Sequence, residues 1–224
     1  MKISSELING RIAPGFEKVR DVFVSNFEQG LEIGSACAVF LQGECVVDLW
    51  GGYQDIRQKT VWQEDGLALI FSSTKGVAAM CIAMAQSRGW FAYDDPIATY
   101  WPAFARNGKE KITFRQLLSH QAGLCAMDIL LSVEDLADLT YVDAVIAAQK
   151  PLWTPGEYQG YHTYSMGWYM NGIMRHVDPQ QRSIRQFLKE EVVEPLGLDM
   201  RLSLANATHQ EMKDVESRLA HFYS

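Results

Sequence analysis

The chain has 224 residues, 48% apolar and 21% charged, with formal net charge −7 at pH 7. This composition excludes collagen-like, mucin-like and disordered classes, and the length allows one domain of good size, or two small ones, with a sizeable core. The acidic balance leaves no electrostatic footprint for nucleic acid or an anionic membrane, and no apolar run reaches the roughly 18 residues of a membrane span.

Residues 1–20 carry no basic segment followed by an apolar one, so the sequence predicts a cytoplasmic protein without a secretory signal. Cys37, Cys45, Cys81 and Cys125 show no CxxC spacing and read as reduced core residues. Phe16, Val19, Phe23 and Phe27 recur at three- and four-residue steps, one face of a helix that Gly30 can end. Ala36–Leu41 and Cys45–Trp50 are β-prone runs around Gln42-Gly43, and Gly51-Gly52 is expected to break the second strand. The polar stretch 53–66 reads as loop, and Leu67–Phe71 as a short extended segment.

Ser73–Arg88 reads as a helix apolar almost all round, and such a helix is expected to be buried. Thr113-Phe114-Arg115-Gln116 is a capping box opening a short helix that closes near Gly123. Pro155-Gly156 marks a turn. Helices are expected over Tyr164–Arg175 and Ile184–Val193, the second stopped by Pro195 and Gly197. Thr208 and Glu211 cap a last amphipathic stretch. Two strands thus come early and helices dominate afterwards, an odd balance because an isolated two-stranded ribbon is marginal.

The sharpest chemical feature is Ser72-Ser73-Thr74-Lys75 at the head of the apolar helix. Residues i and i+3 share a helical face, so the Lys75 amine can reach the Ser72 hydroxyl. Free N–H donors at a helix start can contribute to an oxyanion site. Burial would favour a neutral lysine able to accept the serine proton. The plainer alternative makes Ser72 or Ser73 a helix cap and Lys75 a solvated first-turn residue. A lysine at the positive end of a helix with hardly any polar face is an energetic misfit, and misfits mark function.

Phe71-Ser72-Ser73-Thr74-Lys75-Gly76 resembles the nucleophile motif of the serine β-lactamase and penicillin-recognising superfamily. Tyr93-Asp94-Asp95-Pro96-Ile97 with Tyr100-Trp101-Pro102 is similar to its D-D-P…Y-x-P segment. Residues 112–124, with Leu117, Leu118, His120, Gly123 and Leu124, resemble its I-T-x-x-x-L-L-x-H-x-x-G-L signature. Trp153-Thr154-Pro155-Gly156 followed by Gly160-Tyr161-His162-Thr163 is similar to its P-G…Y-x-[NS] region, and Glu194-Pro195-Leu196-Gly197-Leu198 to its P-L-G turn. The likeness covers roughly residues 14–204 and is greatest to the esterase branch, the family VIII carboxylesterases, which resemble class C β-lactamases.

The resemblance implies an α+β fold: a β-lactamase/transpeptidase-like antiparallel sheet beside a large helical region. It implies one domain over 1–224, with a helix and strand pair in 1–71, a mainly helical 72–204 and a terminal helix in 205–224. It makes Ser72 the nucleophile, Lys75 the base or activating hydrogen-bond donor, and Tyr161 the proton shuttle. Thr163 takes the place of the substrate-contacting third residue and keeps a hydroxyl but not an amide. From chemistry alone Tyr158 and Tyr164 rival Tyr161; only the motif register selects it.

His120 reads as a tether of its helix end, because no G-x-S-x-G elbow or Asp partner accompanies it. His162 is a candidate for the pocket wall. His176, His209 and His221 lack metal-ligand spacing, and no metal or organic cofactor is expected. The family's third motif, a Lys- or His-[TS]-Gly or Trp-Gly-Gly strand, does not follow Tyr161. Trp50-Gly51-Gly52 matches its letters but precedes the nucleophile. The sheet is therefore expected to be incomplete, lacking C-terminal strands, with an uncovered edge open to a second copy or a completing polypeptide.

The leading reading is a serine hydrolase that cleaves small carboxylic esters, with weak β-lactam or other amide turnover, through an acyl-enzyme. The alternative is a catalytically incomplete fragment or pseudoenzyme that acts by binding.

Overall fold

A computed structural model describes residues 2–204 and 207–223. Met1, Ala205, Asn206 and Ser224, three of them in the predicted terminal segment, lie outside the described residues. The chain divides into two compact units, Met1–Ile70 with Leu204–Ser224, and Phe71–Ser203.

The first unit is built on an open antiparallel sheet of β1 (Ile8–Ile12), β2 (Gly34–Leu41), β3 (Glu44–Asp55) and the short β4 (Thr60–Val61). The order is β1-β3-β2, with β4 pairing the end of β3. α1 (Glu17–Gln29) packs its predicted phenylalanine face here: Phe23 and Phe27 are buried beside Val47 and Leu49. The predicted hairpin forms, and Gln42 (φ 52°) and Gly43 (φ 85°) both take the positive φ that a tight two-residue turn needs.

Three expectations are corrected in this unit. Gly51-Gly52 does not break its strand, which runs on to Asp55. Gly52 has φ +75°, and a Cβ there would lie 2.2 Å from the Ile33 carbonyl oxygen, so the glycine lets the strand bend against a neighbouring backbone and continue. The ribbon is also not two-stranded. β1 pairs along β3 from Ile8 opposite Gly51 to Ile12 opposite Val47, and β4 falls inside the predicted 53–66 loop. β1 leaves no signal in the sequence because its middle residues, Asn9, Gly10 and Arg11, are all exposed and give no alternation. Leu67–Phe71 forms no strand; only Leu67 pairs, in a single parallel bridge to Leu219. That bridge follows the capped helix His209–Arg218, whose Thr208–Glu211 capping box forms as expected.

The second unit is helical: α2 (Thr74–Ser87), α3 (Phe114–Leu118), α4 (Val133–Ala137), α5 (Leu139–Ala148), α6 (Ser165–Val177) and α7 (Ile184–Leu188), which runs into one π turn at Lys189–Val193. Burial of α2 is narrower than predicted. Ala78, Cys81, Ile82 and Ala85 form its buried face, in the core shared with α6 and α7, while Ala79, Met80 and Ala83 are exposed. All four cysteines are free; only Cys81 is fully buried, and burial pushes its thiol up to about 11, which keeps it inert.

Buried charge is handled in two ways. Lys109 is fully buried and donates from Nζ to the carbonyls of Arg106 and Gln149; desolvation lowers it to about 8. Arg182 pairs with the fully buried Asp178 carboxylate at 2.6 Å and with Glu190 and Glu191 at 2.9 Å each. Arg88, just past α2, holds Glu191 from the other side at 2.7 Å, so the cluster fastens the end of α2 to the π turn. Removing one partner of a buried pair strands the other charge. Arg182→Met is therefore expected to lower unfolding free energy by about 3–5 kcal/mol in urea denaturation. Asp178→Asn in the same chain should restore part of that loss.

Candidate active site

The sequence Phe71-Ser72-Ser73-Thr74-Lys75 folds as one tight turn, Phe71–Ser73, leading directly into α2. Phe71 has φ +43°, a strained conformation for a bulky side chain and one that native structures keep mostly at functional positions. Ser73 occupies the helix cap, yet its side chain makes no capping hydrogen bond. The capping alternative therefore does not describe Ser73.

The helical spacing puts Lys75 where the sequence requires. Its Nζ donates to Ser72 Oγ at 3.2 Å and to the Thr163 carbonyl at 2.7 Å. Lys75 is half-buried, and so less enclosed than an all-round apolar helix would have made it. Its Nζ also lies 5.1 Å from the centre of the Tyr161 ring. The neighbouring Ser72 hydroxyl, and after it Lys75 with its charge, hold the Tyr161 phenol below its ordinary value, while burial opposes them. Ser72, Lys75 and Tyr161 thus meet. Thr163 joins them through its backbone carbonyl, while its side chain is exposed. Tyr158 and Tyr164 are 66% and 86% exposed, and neither is drawn to the lysine.

The loop bearing Tyr161 is pinned at both ends. Ser165, the first residue of α6, donates from Oγ to the Leu124 carbonyl at 2.7 Å. The Gly160 N–H reaches the His120 carbonyl at 3.1 Å. Two histidines take roles that residue spacing could not reveal. His162 is completely buried rather than lining a pocket; its Nε2 accepts the Leu124 N–H at 3.1 Å. His120 tethers this loop rather than the end of its own helix: Nδ1 accepts the His162 N–H at 2.9 Å. Both tethers join residues about forty positions apart, and no local pattern encodes such a pairing. Among the described residues, no group of three or more His, Cys, Asp or Glu side chains is placed to hold a metal ion, and no helix is long and apolar enough to cross a membrane.

Comparison with known proteins identifies the family. The family model described as beta-lactamase matches residues 23–211. The esterase/beta-lactamase LipL of Mycobacterium tuberculosis (strain ATCC 25618 / H37Rv) is 37% identical over 190 residues, which cover 85% of this chain and 43% of that protein. A penicillin-binding protein homologue from Caulobacter crescentus superposes with a TM-score of 0.87 at 37% identity, covering 97% of this chain and 56% of the other. A family VIII carboxylesterase superposes with a TM-score of 0.85 at 35% identity, covering 96% and 57%. The chain thus spans about half the length of these relatives.

The arrangement makes the acidity of Tyr161 depend on Lys75. Removing a neighbouring positive charge and hydrogen-bond donor disfavours the phenolate, so Lys75→Met should raise the Tyr161 pKa. An ultraviolet phenolate titration, read as the difference from Tyr161→Phe, should show the Tyr161 transition at higher pH in Lys75→Met. An unmoved transition would disconnect the two groups.

Proposed function

The chain belongs to the β-lactamase family of hydrolases, and from that premise we propose that it is a serine hydrolase cleaving small carboxylic esters through an acyl-enzyme on Ser72. The observation that carries this reading is the joint placement of Ser72, Lys75 and Tyr161. The esterase names of two relatives favour esters over β-lactams, which remain a lesser substrate class in this proposal.

The proposed sequence follows from the donors and acceptors. Tyr161 acts as its phenolate, the form that its neighbours Ser72 and Lys75 favour, and takes the Ser72 proton as Oγ attacks the ester carbonyl carbon. Lys75 supports the phenolate by its charge and fixes Oγ with one N–H. The uncapped first turn of α2 adjoins Ser72 and supplies a positive potential to the oxyanion that develops. Tyr161 then returns the proton to the leaving alkoxide. Water, deprotonated along the same path, attacks the acyl-enzyme, releases the acid and restores Ser72. Thr163 contributes its carbonyl as the anchor of Lys75. In this division of labour the tyrosine carries the base role and Lys75 anchors Ser72 and the Thr163 carbonyl.

A fluorophosphonate probe should label the folded protein covalently, and Ser72→Ala should abolish the labelling. Tyr161→Phe and Lys75→Ala should each lower turnover of a short-chain p-nitrophenyl ester by at least about a hundredfold, the scale of general acid–base catalysis. Folded protein that takes no label would overturn the proposal.

A further inference from the structure

His120 and His162 are the strongest unassigned feature beside the site. His120 follows α3 with φ +64°, a left-handed conformation that is costly for most side chains but tolerated by asparagine. The conformation turns its ring towards the Tyr161 loop, 4.8 Å from the Tyr161 ring and 5.2 Å from that of His162, centre to centre.

Backbone chemistry fixes the protons. A backbone N–H can only donate, so His120 Nδ1 must hold a lone pair towards His162 N, and His162 Nε2 must hold one towards Leu124 N. His162 therefore carries its proton on Nδ1, which donates to the Gly160 carbonyl at 2.6 Å. Both rings are neutral in this arrangement. The charged or titratable groups facing His120 are Lys75 from α2 and Tyr161 and His162 from the loop. Burial, and then the Lys75 charge, lower the His120 pKa; burial is the largest cause for His162, and the Gly160 bond opposes it.

We propose that His120 is a positioning residue for Tyr161: its neutral Nδ1 grips the backbone N–H of the next residue and so holds the phenol at Ser72 and Lys75. The proposal rests on the Ser72–Lys75–Tyr161 reading for its effect on turnover, but its structural core stands apart from that reading. Lys75 fixes the loop after Tyr161, through the Thr163 carbonyl, and His120 fixes it between Tyr161 and Thr163. Protonating His120 on Nδ1 replaces the acceptor with a second N–H facing a first, and the grip is lost.

The test compares wild type, His120→Asn and His120→Leu. Asparagine tolerates the left-handed backbone, places Oδ1 near the position of Nδ1 as an acceptor, and does not protonate. In His120→Leu, kcat for a short-chain p-nitrophenyl ester should fall about a hundredfold with a smaller change in KM, the effect of a misplaced catalytic group. His120→Asn should recover most of that loss. Its rate should also fall less steeply than that of wild type as the pH drops below the ordinary histidine range, because one protonation has been removed. Near-wild-type kcat in His120→Leu, or an acid limb equally steep in His120→Asn, would overturn the proposal.

The Tyr161 phenol titration decides the matter without turnover. It should move upward in His120→Leu and hold in His120→Asn; an unmoved titration in folded His120→Leu overturns the positioning role. If His120→Leu does not fold, the acid limb of His120→Asn decides. Wild-type protein that takes no fluorophosphonate, together with an upward titration shift in His120→Leu, would refute the hydrolase reading and leave the positioning role standing.

Discussion

One amino group links the parts of the site. Lys75 Nζ bridges Ser72 Oγ, three residues before it, and the carbonyl of Thr163, 88 residues after it. The first contact is a property of helix geometry and needs little help. The second joins two segments that the chain brings together only by folding the whole helical unit. α2 must therefore be held firmly, and its buried face of Ala78, Cys81, Ile82 and Ala85 does this within the core it shares with α6. α6 begins two residues beyond Thr163, so the helix that packs with α2 also carries one end of the Tyr161 loop. The geometry around Ser72 and the packing of the core are thus two aspects of one contact.

How much of this the sequence revealed depends on the range of each interaction. The i, i+3 relation of Ser72 and Lys75 is local, and it was legible. So were the α1 face, the hairpin at Gln42-Gly43 and the capping boxes at Thr113 and Thr208. The equivalent boxes at Ser132 and Ser183 went unread, and with the first of them α4 and α5. Tyr161 was not legible from its own chemistry. A loop has no periodicity to aim a side chain, and three tyrosines lie within seven residues; only the register of a family motif separated them. The extent of β1 and β3 was hidden for a related reason. An exposed strand centre and a glycine pair look like loop until a partner strand supplies the hydrogen bonds.

The first turn of the site also carries strain that composition does not show. Phe71 holds a positive φ directly before Ser72, a conformation that costs of order 1–3 kcal/mol and persists only where the surroundings impose it. Here the following residues are committed on both sides: Ser72 to Lys75 and Tyr161, and Thr74 onward to the helix. The strain is the cost of presenting Oγ at a helix start without spending it on a cap. Ser73 makes the same point in reverse, since it holds the cap position but leaves the N–H groups of the first turn without a side-chain acceptor.

The choice of imidazole at 120 follows from the same bridging lysine. Both positions need an acceptor for a buried backbone N–H, and carboxylates are the stronger acceptors. A carboxylate at 120 would face Lys75, however, and compete with Ser72 and Thr163 for its N–H groups. It would also cancel the charge that lowers the Tyr161 phenol. A lysine or arginine has no lone pair to offer. A neutral imidazole accepts from one nitrogen, carries its proton on the other and adds no net charge beside the lysine. The burial that disfavours its protonated form therefore works in the site's favour, because it keeps the acceptor available while leaving the single positive charge of Lys75 directed at Ser72 and Tyr161.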